Sequence, residues 1–256
     1  MIKVFTGFSG PGGSTVAFNN LVNLFNKNGL EACLYGPHIW EGITCRFKQG
    51  VVEPRPEDTV IYHFMLPPSK PCKKLILSCH ETELFPIAKI PDLKYDAIHY
   101  VSESQKEWHG TPGNVIPNVV TKYLRWGSPK KSPVAGIIGS IDPNKRVHKS
   151  IEMALRSNHR DIRLYGAITD GKYFSEEILP LLGNLVSYRG IASDMQPVYD
   201  VLTDVYHCPK METYNLIIPE CNSAGVAYHG DGEFDTKAEY WSDEKVLEAW
   251  KKILEN

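Results

Sequence analysis

The sequence lacks several features that mark common classes of protein. Its six cysteines are scattered and no two form a C-x-x-C pair, so reduced thiols are expected rather than a disulfide framework. No apolar run approaches the roughly 20 residues of a membrane-spanning helix, and no signal peptide precedes the first apolar run. The formal net charge is only −2, so no global basic field points to nucleic acid or a membrane surface. We therefore expect a cytoplasmic protein.

The glycine-rich loop near the N-terminus matches neither of the two common phosphate-binding motifs. Gly7–Gly13 lacks the G-x-G-x-x-G spacing of dinucleotide sites and the Gly-Lys-Ser/Thr of a Walker A loop. It follows the strand-like run Ile2–Thr6 and precedes apolar residues at helical spacing up to Asn28, and a second strand-like run spans Leu30–Tyr35. In this β-loop-α-β unit, glycine can bring backbone N–H groups close to a phosphate. A tight turn without a ligand is the alternative.

Strand-like and helix-like segments alternate along the rest of the chain, which predicts an α/β fold. The composition of Lys122–Pro133, with glycine, two prolines and three lysines, is that of a linker. We therefore predict two domains, at residues 1–127 and 128–256. Ligands of parallel sheets collect at the carboxyl ends of strands, and His80 lies at one such end. A structural hydrogen bond is the alternative for His80, and we interpret His63, inside a strand run, as structural.

Two carboxylates, Glu212 and Glu220, lie eight residues apart around an apolar run. Pro219 fits the first turn of a helix and Gly225 fits its end, which predicts a short helix that starts near Ile218. Glu220 is then in the first turn and Glu212 in the preceding loop. A helix N-terminus attracts anions, and carboxylates beside it can accept hydrogen bonds from the hydroxyls of a ribose or hexose.

A basic turn follows the first strand-like run of the second half. Lys145 and Arg146 lie there, between the apolar run 134–141 and a helix-like segment. Charge-assisted hydrogen bonds from such cations suit a diphosphate. A solvated basic turn is the alternative.

These motifs, together with Ser102 after a strand and the I-P-N of Ile116–Asn118, occur in one order along the chain. In that order they resemble the retaining glycosyltransferases of the GT-B fold, family 4 in particular. The resemblance implies an α/β protein with two Rossmann-like β/α/β domains that face each other across a cleft. The N-terminal domain is then on the acceptor side, and the C-terminal domain binds the nucleotide sugar.

Three positions depart from the pattern of this family. Val119 follows I-P-N where glycine is usual, and Ser140 follows Gly139 where the family has an arginine that grips the donor pyrophosphate. Val226 and Ala227 follow Gly225 where the family has Gly-x-Pro. The resemblance therefore implies a donor site that lacks this arginine.

The resemblance implies a hexosyl- or pentosyltransferase that uses a UDP- or GDP-sugar, retains the anomeric configuration, and needs neither cofactor nor metal. The acceptor is then a glycan or lipid-linked glycan. The catalytic residues implied are Glu212 and His80. The donor-binding residues implied are Gly12, Gly13, Lys145, Arg146, Glu220, Thr213, Tyr214 and Asn215, and the acceptor-binding residues are Ser14, Thr15 and Glu81.

Three other functions fit the same sequence features. A nucleotide-sugar epimerase has this fold without a separate acceptor, and a non-catalytic nucleotide-sugar-binding protein is compatible with the departures from the family. A phage-type DNA glycosyltransferase that modifies hydroxymethylated bases is the third. For the basic residues that would contact its phosphates, ordinary solvent exposure is the alternative. This basic rim would consist of Lys70, Lys73, Lys74, Lys122, Arg125, Lys130 and Lys131.

Overall fold

The structure is a computed structural model, and it describes residues 1–8, 10, 12–63, 72–81, 94–124, 132–231 and 240–255. The chain divides into two units. The first comprises Met1–Val120 with Thr236–Asn256, and the second comprises Thr121–Asp235. Most of the predicted linker, at residues 125–131, lies outside the described residues, as do the rim residues Lys70, Arg125, Lys130 and Lys131.

The first unit is built on a parallel sheet that has seven strands in the described residues. Its order is β3-β2-β1-β4-β5-β6-β7, so the chain starts in the middle and extends first to one side and then to the other. The strands are β1 (Ile2–Thr6), β2 (Ala32–Gly36), β3 (Phe47–Gln49), β4 (Thr59–His63), β5 (Lys74–Cys79), β6 (Ala97–Tyr100) and β7 (Asn114–Val115), and the helices are α1 (Gly13–Lys27), α2 (Glu103–His109) and α7 (Asp243–Glu255).

Both faces of this sheet are covered by apolar side chains, as expected for parallel strands. On one face the rings of Tyr35 and Tyr62 stack on Phe5, at centroid distances of 4.8 and 4.9 Å. On the other face helices α1 and α7 complete the core, and Phe25 meets Trp250 edge to face at 5.8 Å. Burial of large aromatic side chains therefore holds this unit together.

The C-terminal helix α7 belongs to the first unit, whereas the sequence analysis places all of residues 128–256 in the second domain. The reason is its apolar stripe, which includes Val246, Leu247 and Trp250 and packs into the same core as α1. Helical periodicity predicts that the stripe is buried. It contains no information about which of the two sheets covers it.

The second unit has a parallel sheet of five strands in the described residues, in the order β10-β9-β8-β11-β12. Together with the first sheet, this confirms the predicted α/β class. The strands are β8 (Ala135–Ile138), β9 (Ile162–Tyr165), β10 (Val186–Tyr188), β11 (Asp204–His207) and β12 (Ala227–Gly230). The helices are α3 (Val147–Arg156), α4 (Gly171–Tyr173), α5 (Gln196–Val201) and α6 (Ile217–Ala224), with one π turn at Phe174–Ile178 and one 3-10 turn at Leu179–Leu181.

Two glycines let the loops after β8 and β9 approach each other closely. Gly139 and Gly166 have backbone φ angles of 134° and 149°, which residues with a side chain rarely adopt. A Cβ on Gly166 would lie 1.8 Å from the carbonyl oxygen of Gly139. This close approach brings the backbone of both loops to the carboxyl edge of the sheet.

Candidate functional site

Each unit gathers predicted site residues at the carboxyl edge of its own sheet. In the second unit the central contact is an ion pair between Lys145 and Glu212, with 2.5 Å between Nζ and Oε2. Lys145 lies in the turn after β8, and Glu212 in the loop after the neighbouring strand β11. Both side chains keep some exposure, 22 % and 14 %. The structure thus brings together the predicted catalytic carboxylate and one predicted donor-binding cation.

The turn that carries Lys145 is fixed by short-range hydrogen bonds. The carboxylate of Asp142 accepts a bond from the Lys145 backbone N–H at 2.9 Å and one from the Ser140 hydroxyl at 2.5 Å. Ser140 stands where the family has arginine, and here its hydroxyl orders the turn. A backbone bond of 2.7 Å from Lys210 N–H to the Asn144 carbonyl then joins the turn to the Glu212 loop.

Arg146 takes a different position from Lys145. It caps α3 with a left-handed backbone (φ 44°) and is only 6 % exposed. Its guanidinium donates to the carbonyls of Cys208 and Pro209 at 2.7 and 2.9 Å and pairs with Asp231. In this structure the guanidinium therefore binds protein oxygens and joins the ends of β8 and β11, and its predicted contact with a diphosphate stays a prediction.

The three predicted donor-binding residues after Glu212 are buried. Thr213 and Tyr214 are 8 % and 4 % exposed, and Asn215 is 1 % exposed. The Asn215 side chain accepts from the backbone N–H of Ile217 at 3.1 Å and donates to the Tyr228 hydroxyl at 3.0 Å. Asn215 therefore orders the start of α6.

Glu220 lies in the first turn of α6, as predicted from Pro219 and Gly225, which caps the helix with φ 63°. Its carboxylate accepts a hydrogen bond of 2.8 Å from the Tyr199 hydroxyl. Burial raises the pKa of Glu220 to about 7, and the Tyr199 bond opposes this only in part. Glu220 can thus gain or lose a proton near neutral pH.

His207 is a residue of this site that the sequence analysis missed. It ends β11, is 3 % exposed, and its Nε2 lies 3.9 Å from Glu212 Oε2. Its Nδ1 faces the amide nitrogen of Asn215 at 3.4 Å, and an amide nitrogen only donates. Nδ1 of His207 is therefore the acceptor and Nε2 carries the proton. Burial, and then the charge of Lys145, hold the pKa of His207 well below its usual range.

In the first unit, His80 follows β5 and Glu81 comes next. Glu81 Oε1 lies 2.6 Å from Nε2 of His63, and Nδ1 of His63 lies 3.2 Å from the Thr6 hydroxyl. The register of β1 and β4 places Thr6 beside His63. His63, which we interpret as structural, therefore holds the carboxylate of Glu81 at the sheet edge. Glu81 is one of the predicted acceptor-binding residues.

A second polar pair lies on strands β5 and β6, whose register places Ser78 beside His99. The Ser78 hydroxyl lies 2.8 Å from His99 Nδ1 and 3.2 Å from His80 Nε2. His99 Nε2 lies 2.8 Å from the carbonyl oxygen of Ile116. Burial lowers the pKa of His80 well below its usual range, mostly through loss of hydration. His80 is therefore neutral at physiological pH, and it is bonded to a polar chain inside the unit.

The glycine loop leads into α1 at this same edge. Gly12 and Gly13 are exposed, and Gly12 is the N-cap. The hydroxyl of Thr15 is buried, accepts from the Gly12 backbone N–H at 2.8 Å, and donates to the Gly10 carbonyl. Thr15 thus orders the loop, and Ser14 beside it is partly exposed. The first-turn N–H groups of α1 follow the exposed glycines, which is the arrangement that binds anions at helix N-termini.

The described part of the chain shows neither a metal site nor a membrane-spanning helix. No group of three or more histidine, cysteine or acidic side chains there is placed to hold a metal ion. Among the described helices, none combines the length and the apolar composition needed to cross a membrane.

No family model and no curated protein matches the chain. WaaG, a glycosyltransferase involved in lipopolysaccharide biosynthesis, is 14% identical with a TM-score of 0.65, and the match covers 100% of this chain and 91% of WaaG. Anabaena HepE (Alr3699), solved with UDP and glucose, is 14% identical with a TM-score of 0.68, over 90% and 80% of the two chains.

A third similar structure is AviGT4, a glycosyltransferase involved in avilamycin A biosynthesis. It is 16% identical with a TM-score of 0.66, and the match covers 99% of this chain and 88% of AviGT4. At these identities the comparison establishes the fold. The chain has the two-sheet α/β fold of these GT-B glycosyltransferases, and the predicted fold class is confirmed.

Proposed function

We propose that the chain is a retaining glycosyltransferase. It moves a hexosyl or pentosyl group from a nucleotide-diphosphate sugar to a hydroxyl of a glycan or lipid-linked glycan. The Lys145–Glu212 ion pair carries this proposal. A cation and a carboxylate held together, both still partly exposed, supply what a sugar diphosphate needs: a positive group for the phosphates and an acceptor for sugar hydroxyls.

The leaving diphosphate is the group that the site must stabilise. In the transfer, the bond between the anomeric carbon and the phosphate oxygen breaks, and the acceptor oxygen forms its bond on the same face of the sugar. The acceptor proton moves to the leaving phosphate oxygen. Lys145 supplies positive charge and N–H donors for the phosphates. We propose that no metal ion is required, since this charge takes its place.

The carboxylate Glu212 changes partner when the phosphate arrives. In the free protein Lys145 binds Glu212, and a diphosphate competes for the same ammonium group with more negative charge. Glu212 is then able to accept hydrogen bonds from the hydroxyls of the transferred sugar. Glu220, in the first turn of α6, is proposed to accept from the ribose.

Our first prediction tests the role of Lys145. Lys145→Gln should weaken the binding of UDP or GDP, measured by titration calorimetry in EDTA, by about 10-fold to 100-fold. This is the effect of losing one hydrogen bond to a charged group, about 1.5–3 kcal/mol. Lys149→Gln is the matched control, because Lys149 is exposed on the adjacent helix α3. Equal loss in both variants, or no loss in Lys145→Gln, would contradict the proposal.

The same protein then serves for a transfer assay with a panel of nucleotide sugars and acceptors. NMR of the product should show the anomeric configuration of the donor, and an inverted product would rule out retention. Conversion of the donor to a different nucleotide sugar without an acceptor would indicate an epimerase. Binding of a nucleotide sugar without any reaction would indicate a non-catalytic binding protein.

Two lysines of the basic rim proposed for the DNA alternative lie away from the predicted site in the first unit. Lys73 and Lys74 lie at the amino end of β5, at the opposite end of the strand from His80. Lys74 is only 9 % exposed, and its ammonium group donates to the Ile253 carbonyl. A basic rim that uses these two residues would therefore lie away from His80, so a glycan acceptor is the better proposal.

A further inference from the structure

A polar cavity lies at the amino edge of the first sheet, away from the candidate site. Its volume is about 330 Å³, and small-molecule sites typically have volumes of roughly 300–1,000 Å³. Lys74, the first residue of β5, lines the cavity, whereas His80 follows the last residue of the same strand. At about 3.3 Å per strand residue, the two positions are roughly 20 Å apart. The cavity is therefore separate from the residues that are predicted to bind the acceptor.

The amino ends of β5, β6 and β7 and the last turn of α7 form the wall of this cavity. Asp96 precedes β6, Asn114 begins β7, and Lys252 belongs to α7. These three side chains are exposed, while Lys74 and Ile116 are buried. The cavity thus has a charged, exposed mouth and a buried lysine in its wall.

The ammonium group of Lys74 has no negatively charged side chain as a partner. It donates to the backbone carbonyl of Ile253, and no carboxylate of the described residues lies within 4.0 Å of it. That carbonyl belongs to the last turn of α7, and a helix C-terminus carries only about half a negative charge. Lys74 is 9 % exposed, and Lys252 adds a second positive charge at the same cavity. Because buried charges are normally paired, an anion in the cavity would supply the missing charge.

The cavity also offers hydrogen-bond acceptors. One carboxylate oxygen of Asp96 accepts from the backbone N–H of Leu75 at 2.6 Å, and the other oxygen has no partner among the described residues. The amide nitrogen of Asn114 donates to the Ile98 carbonyl at 3.5 Å, which leaves the amide oxygen available. These oxygens need donors from a ligand. Hydroxyl groups suit them better than an ammonium group, which would add positive charge beside the two lysines.

We propose that this cavity is a binding site for a sugar that carries an anionic group, either a carboxylate or a phosphate. The anion pairs with the ammonium groups of Lys74 and Lys252 through charge-assisted hydrogen bonds. The hydroxyl groups of the sugar donate to Asp96 and Asn114. The site lies within the first unit, and it is additional to the site of the proposed transfer reaction.

Titrations of the ¹⁵N-labelled full chain with four compounds test this site. D-Glucuronate and D-glucose 6-phosphate have both the anion and the hydroxyl groups, whereas D-glucose lacks the anion and acetate lacks the hydroxyl groups. The two sugar anions should shift the backbone amide signals of Val115 and Ile253, which line the cavity. D-Glucose and acetate should bind there at least about 10-fold more weakly, because each lacks one set of hydrogen bonds to charged groups. The sugar anion that binds more tightly identifies the anionic group.

Two lysine variants connect these signals to the proposed contacts. Lys252→Gln should weaken the binding of D-glucuronate by about 2-fold to 5-fold, the effect of one exposed ion pair. Lys74→Met should weaken it by about 10-fold or more, because the anion loses its buried partner. Lys251→Gln is the matched control, since it makes the same change of charge on α7 at a residue that does not line the cavity. Thermal melts show whether Lys74→Met is folded, and Lys252→Gln decides the test if it is not.

The proposal fails on any of four results. Amide signals of Val115 and Ile253 that do not move with either sugar anion would contradict a site in this cavity. Equal affinities for D-glucose and D-glucuronate, or for D-glucuronate in Lys252→Gln and Lys251→Gln, would contradict the role of the lysine charges. Acetate that binds as tightly as D-glucuronate would contradict the hydroxyl contacts. Since no nucleotide sugar is present, each result is independent of whether the protein transfers sugars.

Discussion

Glu220 holds its proton to a pH at which exposed carboxyl groups have lost theirs. Burial raises the pKa of this residue from 4.5 to about 7, with the hydrogen bond from Tyr199 acting in the opposite direction. The folded state therefore binds this proton more tightly than the unfolded chain. Folding takes up the proton between about pH 4.5 and 7.

Our prediction for Glu220 concerns stability against pH. The free energy of unfolding should fall as pH rises through this window, by an amount on the order of 3 kcal/mol, and then level off. Glu220→Gln keeps a neutral side chain at every pH, so denaturant unfolding between pH 4.5 and 8 should show a flatter profile than the wild type. Glu152→Gln, at an exposed position of the same unit, should keep the wild-type slope. Parallel profiles for wild type and Glu220→Gln would disprove the shift.

The positions of the candidate site residues were predictable from the sequence only in part. The meeting of Lys145 and Glu212 follows from their positions after strands of one parallel sheet, together with the family resemblance. The orientation of Arg146 does not follow, because it depends on a left-handed backbone and on carbonyl oxygens of a loop 62 residues further on. The pairing of Ser78 with His99 depends on strand register, which single segments do not specify.

At the scale of elements, the loops after β8 and β9 depend on a glycine that no other residue can replace without strain. We predict that Gly166→Ala lowers the free energy of unfolding by at least about 2 kcal/mol, through an unfavourable φ and a clash with the Gly139 carbonyl. Gly171→Ala is the control, because a Cβ there meets nothing within 4 Å. Chemical denaturation of the two variants measures the difference, and equal stability would contradict the close approach.

Most elements of the structure were predictable because their signals are local. Short runs rich in apolar residues mark the buried strands such as Ile2–Thr6, and apolar spacing with a terminal glycine marks α1 and α6. The strands Phe47–Gln49 and Ala227–Gly230 were missed. Both are short and largely outside the core, so their residues have no apolar pattern, and only pairing with a neighbouring strand defines them.

At the scale of the molecule, the first unit depends on a helix from the far end of the chain. We predict that Trp250→Ala lowers its stability by about 3–5 kcal/mol, the usual effect of removing a buried tryptophan side chain, since Trp250 is 1 % exposed. Glu248→Ala, on the exposed side of the same helix, should have little effect. Hydrogen exchange resolves the two units: amides of β1 and β4 should lose protection in Trp250→Ala, while β8 and β9 keep theirs. Equal loss in both units would contradict the assignment of α7.

The place of α7 also has a consequence for the order of events on the ribosome. The segment 1–120 emerges before the second unit, yet its core lacks Trp250 and Ile253 until those residues have been made. At ordinary rates of synthesis this delay is on the order of ten seconds. The second unit is contiguous in sequence and can fold during that time. The unit that contains residues 1–120 is therefore completed after the second unit, and part of its apolar surface stays uncovered in the interval.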